Sequence, residues 1–534
     1  MKHSKKLASL LLALVMALSL AVTAFADEST TYSITINNST AGHTYEAYQI
    51  FTGDLATNEA GNKVLSNIVW GSGVSEAGQT ALGDAAAKAE TLKTEADAKA
   101  FAKAVAPYLT TAAGSANTVT DGKYVISGLA AGYYLVKDQD GSLIGDNDSY
   151  TEYIIQVVGN VTATPKSDVP EVQKKVKDIN DSTDTTKTDW QDSADYDIGD
   201  SIPFQLKATL ADNVSSYTTY KVVFHDTLSK GLTYNNDAKV YIGGTETNGF
   251  AVTATVNADG TTTLTVSCDD VKALDASNSS VITVEYNATL NGNAVLGSDG
   301  NPNEVYLEYS NNPNKSEEGN NETGNTPEDT VIVFTYKTII NKVTKNPDYD
   351  PKVDGSEEYI PLPDAEFTLE KKILGDDPTT TDKVEAEYWK AIAVVKSNNG
   401  TTFTFSGLDD GQYKLTETKT PVGYNTIDPI YFVIEATHGE TADAPTLKTL
   451  NAYLTDANGN KQTEMKDGES VNIDLGTVDL TAGSITTTVV NKSGSKLPST
   501  GGIGTTIFYV LGGVLVLAAV VLLVTKKRMS GAEK

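Results

Sequence analysis

Among its 534 residues the chain has one cysteine, Cys268, and only four histidines and four methionines. A single cysteine cannot close an internal disulfide, so an exported chain of this composition must gain robustness by other means. Cys268 ends the alternating run Leu264-Thr-Val-Ser-Cys268 and reads as a small buried apolar residue. With so few histidines there is no metal-spaced His/Cys cluster and no nucleophilic triad, and there is no phosphate loop. No cofactor or metal is therefore expected, although the acidic loop from Asp348 to Asp354 reads equally as a Ca²⁺ loop or a solvated turn. Basic residues are scarce too: 41 Lys+Arg stand against 70 Asp+Glu, a formal net charge of −29. Such an acidic surface excludes nucleic-acid binding.

Long apolar runs occur only at the two ends. Lys2, Lys5 and Lys6 precede an apolar run from Leu7 to Val22, and Ala24-Phe25-Ala26 follows it. A basic start, a short apolar core and a small-x-small end predict a secretory signal peptide over 1–26, with the mature chain beginning at Asp27. At the other end Leu497-Pro498-Ser499-Thr500-Gly501 precedes an apolar stretch from Ile503 to Val524 and the basic cluster Lys526-Lys527-Arg528. The stretch is long enough to span a bilayer, and the basic cluster holds the tail on the cytoplasmic side. LPxTG, span and basic tail in this order resemble the sorting signal of Gram-positive surface proteins. The resemblance implies that a sortase transpeptidase cuts between Thr500 and Gly501 and holds the Thr500 carbonyl as a thioester until an amine takes it, which leaves the chain anchored to peptidoglycan.

Between the ends, short alternating runs such as Tyr32-Ser-Ile-Thr-Ile36 recur between polar turns rich in Thr, Asn, Asp and Gly. This predicts a mainly β chain of tandem immunoglobulin-like β-sandwich domains. Pro165-Lys166-Ser167-Asp168-Val169-Pro170 reads as a linker, and the polar stretch from Asn311 to Asp329 as a second boundary. The modules are placed at 27–167, 168–330 and 331–496, followed by the sorting signal over 497–534. The Ala-, Lys- and Glu-rich segment from Ala81 to Tyr108 predicts a helical insertion in the first module. The first and third modules share Ser-Gly-Leu-x-x-Gly-x-Tyr, at Ser127 and Ser406, with an acid at the same offset, Asp138 and Glu417. Two copies of one sandwich is the simple explanation.

Leu362-Pro-Asp-Ala-Glu-Phe-Thr-Leu369 and Tyr413-Lys-Leu-Thr-Glu417-Thr-Lys-Thr-Pro421-Val-Gly423-Tyr424 resemble the E-box region of Gram-positive pilins, within a collagen-adhesin B-type domain. The resemblance implies an intramolecular isopeptide bond from Lys342 to Asn491, promoted by Glu417. Strand parity agrees: Lys342 shares a face with Ile340, Glu417 with Tyr413 and Leu415, and Asn491 with Val489 and Ile485. On inward faces burial lowers a lysine's pKa and raises a carboxylic acid's, giving a free amine beside an acid able to polarise the amide. In the middle module Lys174, Asp226 and Asn311 form the matching trio by parity, with Lys175 and Asn303 as alternates, and Asp-Thr-Leu-x-x-Gly-Leu from Asp226 resembles middle domains of pilin shafts. The first module has Asn38 where the third has Lys342, so it is expected to lack the bond.

Thr164-Pro165-Lys166 is similar to the pilin motif, commonly Tyr-Pro-Lys, whose lysine is joined to the Thr of the next subunit. Taken together, the chain resembles major backbone pilins of sortase-assembled fimbriae. The partners this implies are sortase, further copies of the same chain, minor tip or basal pilins, peptidoglycan and a host receptor. The rival readings are a monomeric wall-anchored adhesin, a minor basal pilin and, from another class, a wall-anchored enzyme.

Overall fold

The computed structural model describes residues 30–165, 168–182, 189–317, 319, 321–376, 385–396, 400–441, 445–466 and 468–494. Three β-sandwiches follow one another along these residues. Among them no helix is long and apolar enough to cross a membrane, and the expected span over 503–524 lies outside the described residues.

In the first module a three-stranded sheet carries Tyr32–Asn37 between Lys123–Leu129 and Val161–Ala163. A five-stranded sheet, built around Tyr45–Thr57 and Gly132–Asp138, covers it. Ile34, Ile36, Tyr45, Tyr124, Ile126 and Val136 alternate inward and fill the space between. The five-stranded sheet also has an apolar outer face, because Tyr48, Ile50, Phe51 and Leu135 need cover. Helices Glu76–Leu82, Ala85–Thr91 and Glu95–Val105 supply it with Ala85, Ala89, Phe101 and Val105. The helical segment begins before the expected Ala81 because Ser75 caps the first helix, accepting from the Gly78 N–H.

The repeat has a structural basis. Leu129 pairs with Tyr32, and Leu408 pairs with Tyr336, each across a register shift. Both shifts are made by a glycine at φ +78°, Gly128 and Gly407. A left-handed residue in an extra-residue bulge is the conformation glycine adopts without steric cost.

The middle module packs two seven-stranded sheets. One holds Glu171–Lys177 beside Ser201–Thr209, which pairs in turn with Val281–Leu290. The other holds Val222–Leu228 between Thr262–Cys268 and Asn301–Ser310. Cys268 is buried and unpaired in this core. The run Val331-Ile-Val-Phe334, expected to open the third module, instead closes this sheet: Asp329–Phe334 pairs with Asn301–Ser310, and Val331 and Val333 pack in the middle core. Ile332 packs partly against the third core, and Phe334 is its first fully buried side chain.

In the third module Tyr336–Lys345 and Ser484–Asn491, its first and last long strands, run parallel and pair over eight positions. The opposing sheet is ordered Glu385–Lys396, Glu366–Asp376, Gly411–Lys419, Ile430–His438, Leu447–Thr455. Phe367, Leu369, Phe403, Tyr413, Leu415 and Phe432 are wholly or nearly wholly buried between the sheets. Each side chain so buried contributes roughly 1.5–3 kcal/mol. The middle and third modules also meet through charge. Lys371 of the third is wholly buried against Asp181 (2.5 Å) and Asp197 (2.7 Å) of the middle module and against Asp409 of its own. Burial opposes its charge, but the three carboxylates win and hold the ammonium well above the usual lysine range.

Candidate crosslinking sites

Strand alternation carries three polar side chains into the third core. On the first strand Ile340, Lys342 and Thr344 point inward, and on Gly411–Lys419 the inward set is Tyr413, Leu415 and Glu417. The parallel pairing sets Lys342 opposite Val489 and Thr344 opposite Asn491, so the lysine reaches across to the last strand. Its Nζ contacts Asn491 Oδ1 and lies 3.3 Å from Glu417 Oε1. Asn491 Nδ2 donates to both Glu417 oxygens, at 2.9 and 3.1 Å. Glu417 Oε2 is held further by the Thr420 hydroxyl (3.1 Å) and the Ile427 N–H (3.2 Å). The Phe367 ring, 5.6 Å from Nζ, and Phe403 packed against its face keep the site dry. Burial pushes the Lys342 ammonium down, toward the free amine, against the opposing charge of Glu417. The Lys342 Nζ, the Asn491 side-chain amide and the Glu417 carboxyl group thus stand together out of contact with solvent, the arrangement amide exchange needs.

The middle module builds a comparable site with an additional residue. Lys174, wholly buried, contacts Asp226 across the sandwich, and its Nζ is 3.2 Å from the Tyr286 hydroxyl. That hydroxyl donates to Asp226 Oδ2 at 2.5 Å and accepts from Asn303 Nδ2 at 2.8 Å. Asn303 Oδ1 is buried without a hydrogen-bond partner. Burial pushes Lys174 down and Asp226 up, while their mutual attraction opposes both shifts. Tyr286 was not singled out from the sequence, although it lies on an inward position of the alternating strand Val281–Leu290.

The expected acceptor Asn311 is not in this site. Asp226 pairs with Val305 and Leu228 with Asn303, whereas Val222, at the far end of the same strand, already pairs with Tyr309. Asn311 therefore lies six residues beyond the partner of Asp226, about 20 Å along a strand. Its Nδ2 donates to the Leu143 carbonyl (2.8 Å), and its own carbonyl accepts from the Tyr150 N–H (2.8 Å), both in the first module. Asn303, the alternate, is the asparagine joined to Lys174 and Asp226, through the Tyr286 hydroxyl. Lys175 faces away from Lys174 and pairs with Asp192.

In the first module Asn38 follows the opening strand and donates to the Tyr45 hydroxyl (2.8 Å). Asp138, the counterpart of Glu417, is buried against His43 Nδ1 at 2.7 Å, with Asp148 at 2.8 Å from Nε2 on the other side. The His43 ring stacks on Tyr45, 5.0 Å between centroids. Burial opposes charge on the imidazole, but the hydrogen bonds and charges of Asp138 and then Asp148 push its pKa up to about 9. A histidinium thus fills the place of the lysine. Nothing in the periodic pattern marks His43 or Asp148, which come from loops.

Lys166 and the pentapeptide Leu497, Pro498, Ser499, Thr500 and Gly501 lie outside the described residues. Thr164, two residues before Lys166, accepts from Asn37 Nδ2 at 3.2 Å.

Comparison with known proteins matches residues 198–313 to a Gram-positive pilin backbone subunit 2, Cna-B-like domain. Residues 351–449 match a prealbumin-like fold domain, and 489–530 an LPXTG cell wall anchor motif. The trypsin-resistant surface T6 protein of Streptococcus pyogenes serotype M6 is 25% identical over 467 residues, covering 77% of each chain. The T6 backbone pilin structure from the same serotype superposes with a TM-score of 0.54 at 19% identity, covering 88% of this chain and all of that one. The three-domain fold is thus shared with it. The full-length major pilin SpaD of Corynebacterium diphtheriae gives a TM-score of 0.47 at 18% identity, covering 88% and 99%.

Proposed function

We propose that this chain is a backbone pilin, the major subunit of a sortase-assembled surface pilus anchored to the Gram-positive cell wall, and that named lysines both polymerise and harden it. In polymerisation, sortase breaks the Thr500–Gly501 peptide bond and holds the Thr500 carbonyl as a thioester. The Lys166 amine of the next subunit attacks that carbonyl, the thiolate leaves, and an amide joins the two chains. The last Thr500 passes to a peptidoglycan amine, while minor tip or basal pilins end the polymer and a host receptor is its adhesive target.

Hardening takes place inside the second and third modules. The neutral Lys342 amine attacks Cγ of Asn491. Glu417, which accepts from Asn491 Nδ2, takes up the proton that the attacking nitrogen sheds and passes it to the departing nitrogen, so one amide bond forms, one breaks and ammonia leaves. In the middle module Lys174 attacks Cγ of Asn303; Asp226 takes the proton its nitrogen sheds, and the Tyr286 hydroxyl gives its own proton to the leaving nitrogen and is reprotonated by Asp226, so that ammonia leaves. The observation that carries this reading is the meeting of lysine, acid and asparagine in buried sites within the cores of two successive modules. Boiling in detergent tests the polymer: a covalent shaft survives as a high-molecular-weight ladder, whereas a monomeric adhesin runs as one band.

A further inference from the structure

The surface where the middle module meets the third carries more carboxylates than cations. Lys371 neutralises one group of them. A second group, Asp178 and Asp195 of the middle module with Asp410 of the third, lies beyond direct contact with Lys371 and gathers around His438, the last residue of strand Ile430–His438.

His438 is held in one tautomer. The Ser193 hydroxyl donates its only proton to the Gly439 carbonyl at 2.7 Å, so it accepts from His438 Nδ1–H at 2.6 Å. A neutral ring in this setting presents the Nε2 lone pair to Asp178 Oδ2, 3.4 Å away. That separation is long for an N–H···O hydrogen bond, and two electron-rich atoms repel at that range. It matches the edge of a ligand tetrahedron with bonds of ~2.0–2.1 Å, about 3.4 Å. A ring nitrogen fixed by a hydrogen bond from its opposite N–H is also how metal-binding histidines are oriented.

Asp195 adds an independent observation. One carboxylate oxygen from each of Asp178 and Asp195 and one His438 nitrogen lie within 4.8 Å of one another. Asp195 is only 3% exposed, and its Oδ2 has no hydrogen-bond partner. The Tyr336 hydroxyl is the polar group beside it.

We propose that His438, Asp178 and Asp195 bind a divalent first-row transition ion, with Zn²⁺ the best chemical match, and so clamp the middle module to the third. One imidazole with two carboxylates suits Zn²⁺, whereas Ca²⁺ seeks six to eight oxygens. Asp410, whose Oδ1 accepts from Asn180 Nδ2 at 2.6 Å, supplies further negative charge across the interface.

The test uses the mature chain released from the cell wall and stripped with EDTA. Calorimetric titration with Zn²⁺ is expected to saturate at one ion per chain and to be unaffected by excess Ca²⁺. Co²⁺ in its place is expected to give the intense visible absorption of a tetrahedral N/O site. His438→Gln, Asp195→Asn and the more exposed Asp178→Asn should each weaken Zn²⁺ binding at least tenfold, while His225→Gln, on another face, leaves it unchanged. Absence of saturable Zn²⁺ binding overturns the proposal, as does binding of parental strength in a folded His438→Gln or Asp178→Asn chain.

Discussion

Lys342 and Asn491 stand on the first and last strands of one module, which lie side by side and parallel, so that their side chains meet in the core rather than at an edge. An amide between them closes a loop spanning 149 residues. By the chain-entropy estimate for a crosslink, a loop of this length stabilises by about 5 kcal/mol. Glu417→Ala should therefore restore one ammonia, about 17 Da, and lower the midpoint of thermal unfolding of the third module. A variant with the parental mass would show that Glu417 has no part in the reaction.

The middle module distinguishes two asparagines. The full ectodomain should weigh two ammonias, about 34 Da, less than its sequence mass. Asn303→Ala should reduce the deficit to one, as should Asp226→Ala. Asn311→Ala should retain both, because Asn311 bonds to the first module instead. If the deficit falls to one in Asn311→Ala and stays at two in Asn303→Ala, the acceptor has been misassigned.

Tyr286→Phe isolates the relay. Without its hydroxyl, Asp226 and Asn303 lose their link while the packing on Phe204 remains. Freshly synthesised variant should show a mixture of masses, with the middle deficit appearing at least tenfold more slowly than in the parent. Complete bond formation at the earliest sampling would mean that the acid delivers its proton directly.

Lys166→Ala should leave a folded, wall-attached monomer and abolish the detergent-resistant ladder. Immunoblots of wall extracts decide this, and an undiminished ladder would move the intermolecular link to another lysine.

The first module should respond to alkali. The His43 pKa rises from 6.5 to about 9 on folding, so folding binds a proton. The stabilisation is fully present below about pH 6.5 and is lost as pH rises through 9, amounting to at most about 3 kcal/mol. Protease should cut this module faster at pH 9.5 than at pH 6, and His43→Gln should remove the difference. Equal cutting rates in the parent at both pH values would count against the histidinium.

Period-two alternation explains why most of this was legible. It turned Lys174, Asp226, Lys342, Glu417 and Asn491 inward, and the two Ser-Gly-Leu segments revealed a shared bulge. Alternation cannot see register, however. Asn303 and Asn311 have the same parity on one continuous run, and only the partner strand decides which one faces Asp226. The same blindness misread Val331-Ile-Val-Phe334, whose pattern does not say which sheet it joins. His43, Asp148 and most of the inter-module carboxylates come from loops or turns, where no periodicity constrains a side chain's direction, and Asp195 ends a strand of three residues, too short to show a period. Tyr286 sat on a legible strand, but one inward tyrosine among many carries no mark of its role.

The histidinium of the first module has a mechanical corollary. With the intermolecular link at Lys166, a pull along the fibre enters each subunit just after the strand Val161–Ala163 and leaves at Thr500. Tension then runs through the second and third sandwiches and bypasses the first, which hangs beside the line of force. A module that bears no load has no need of a covalent tie, and a reversible ion pair between Asp138 and His43 is enough to keep it folded.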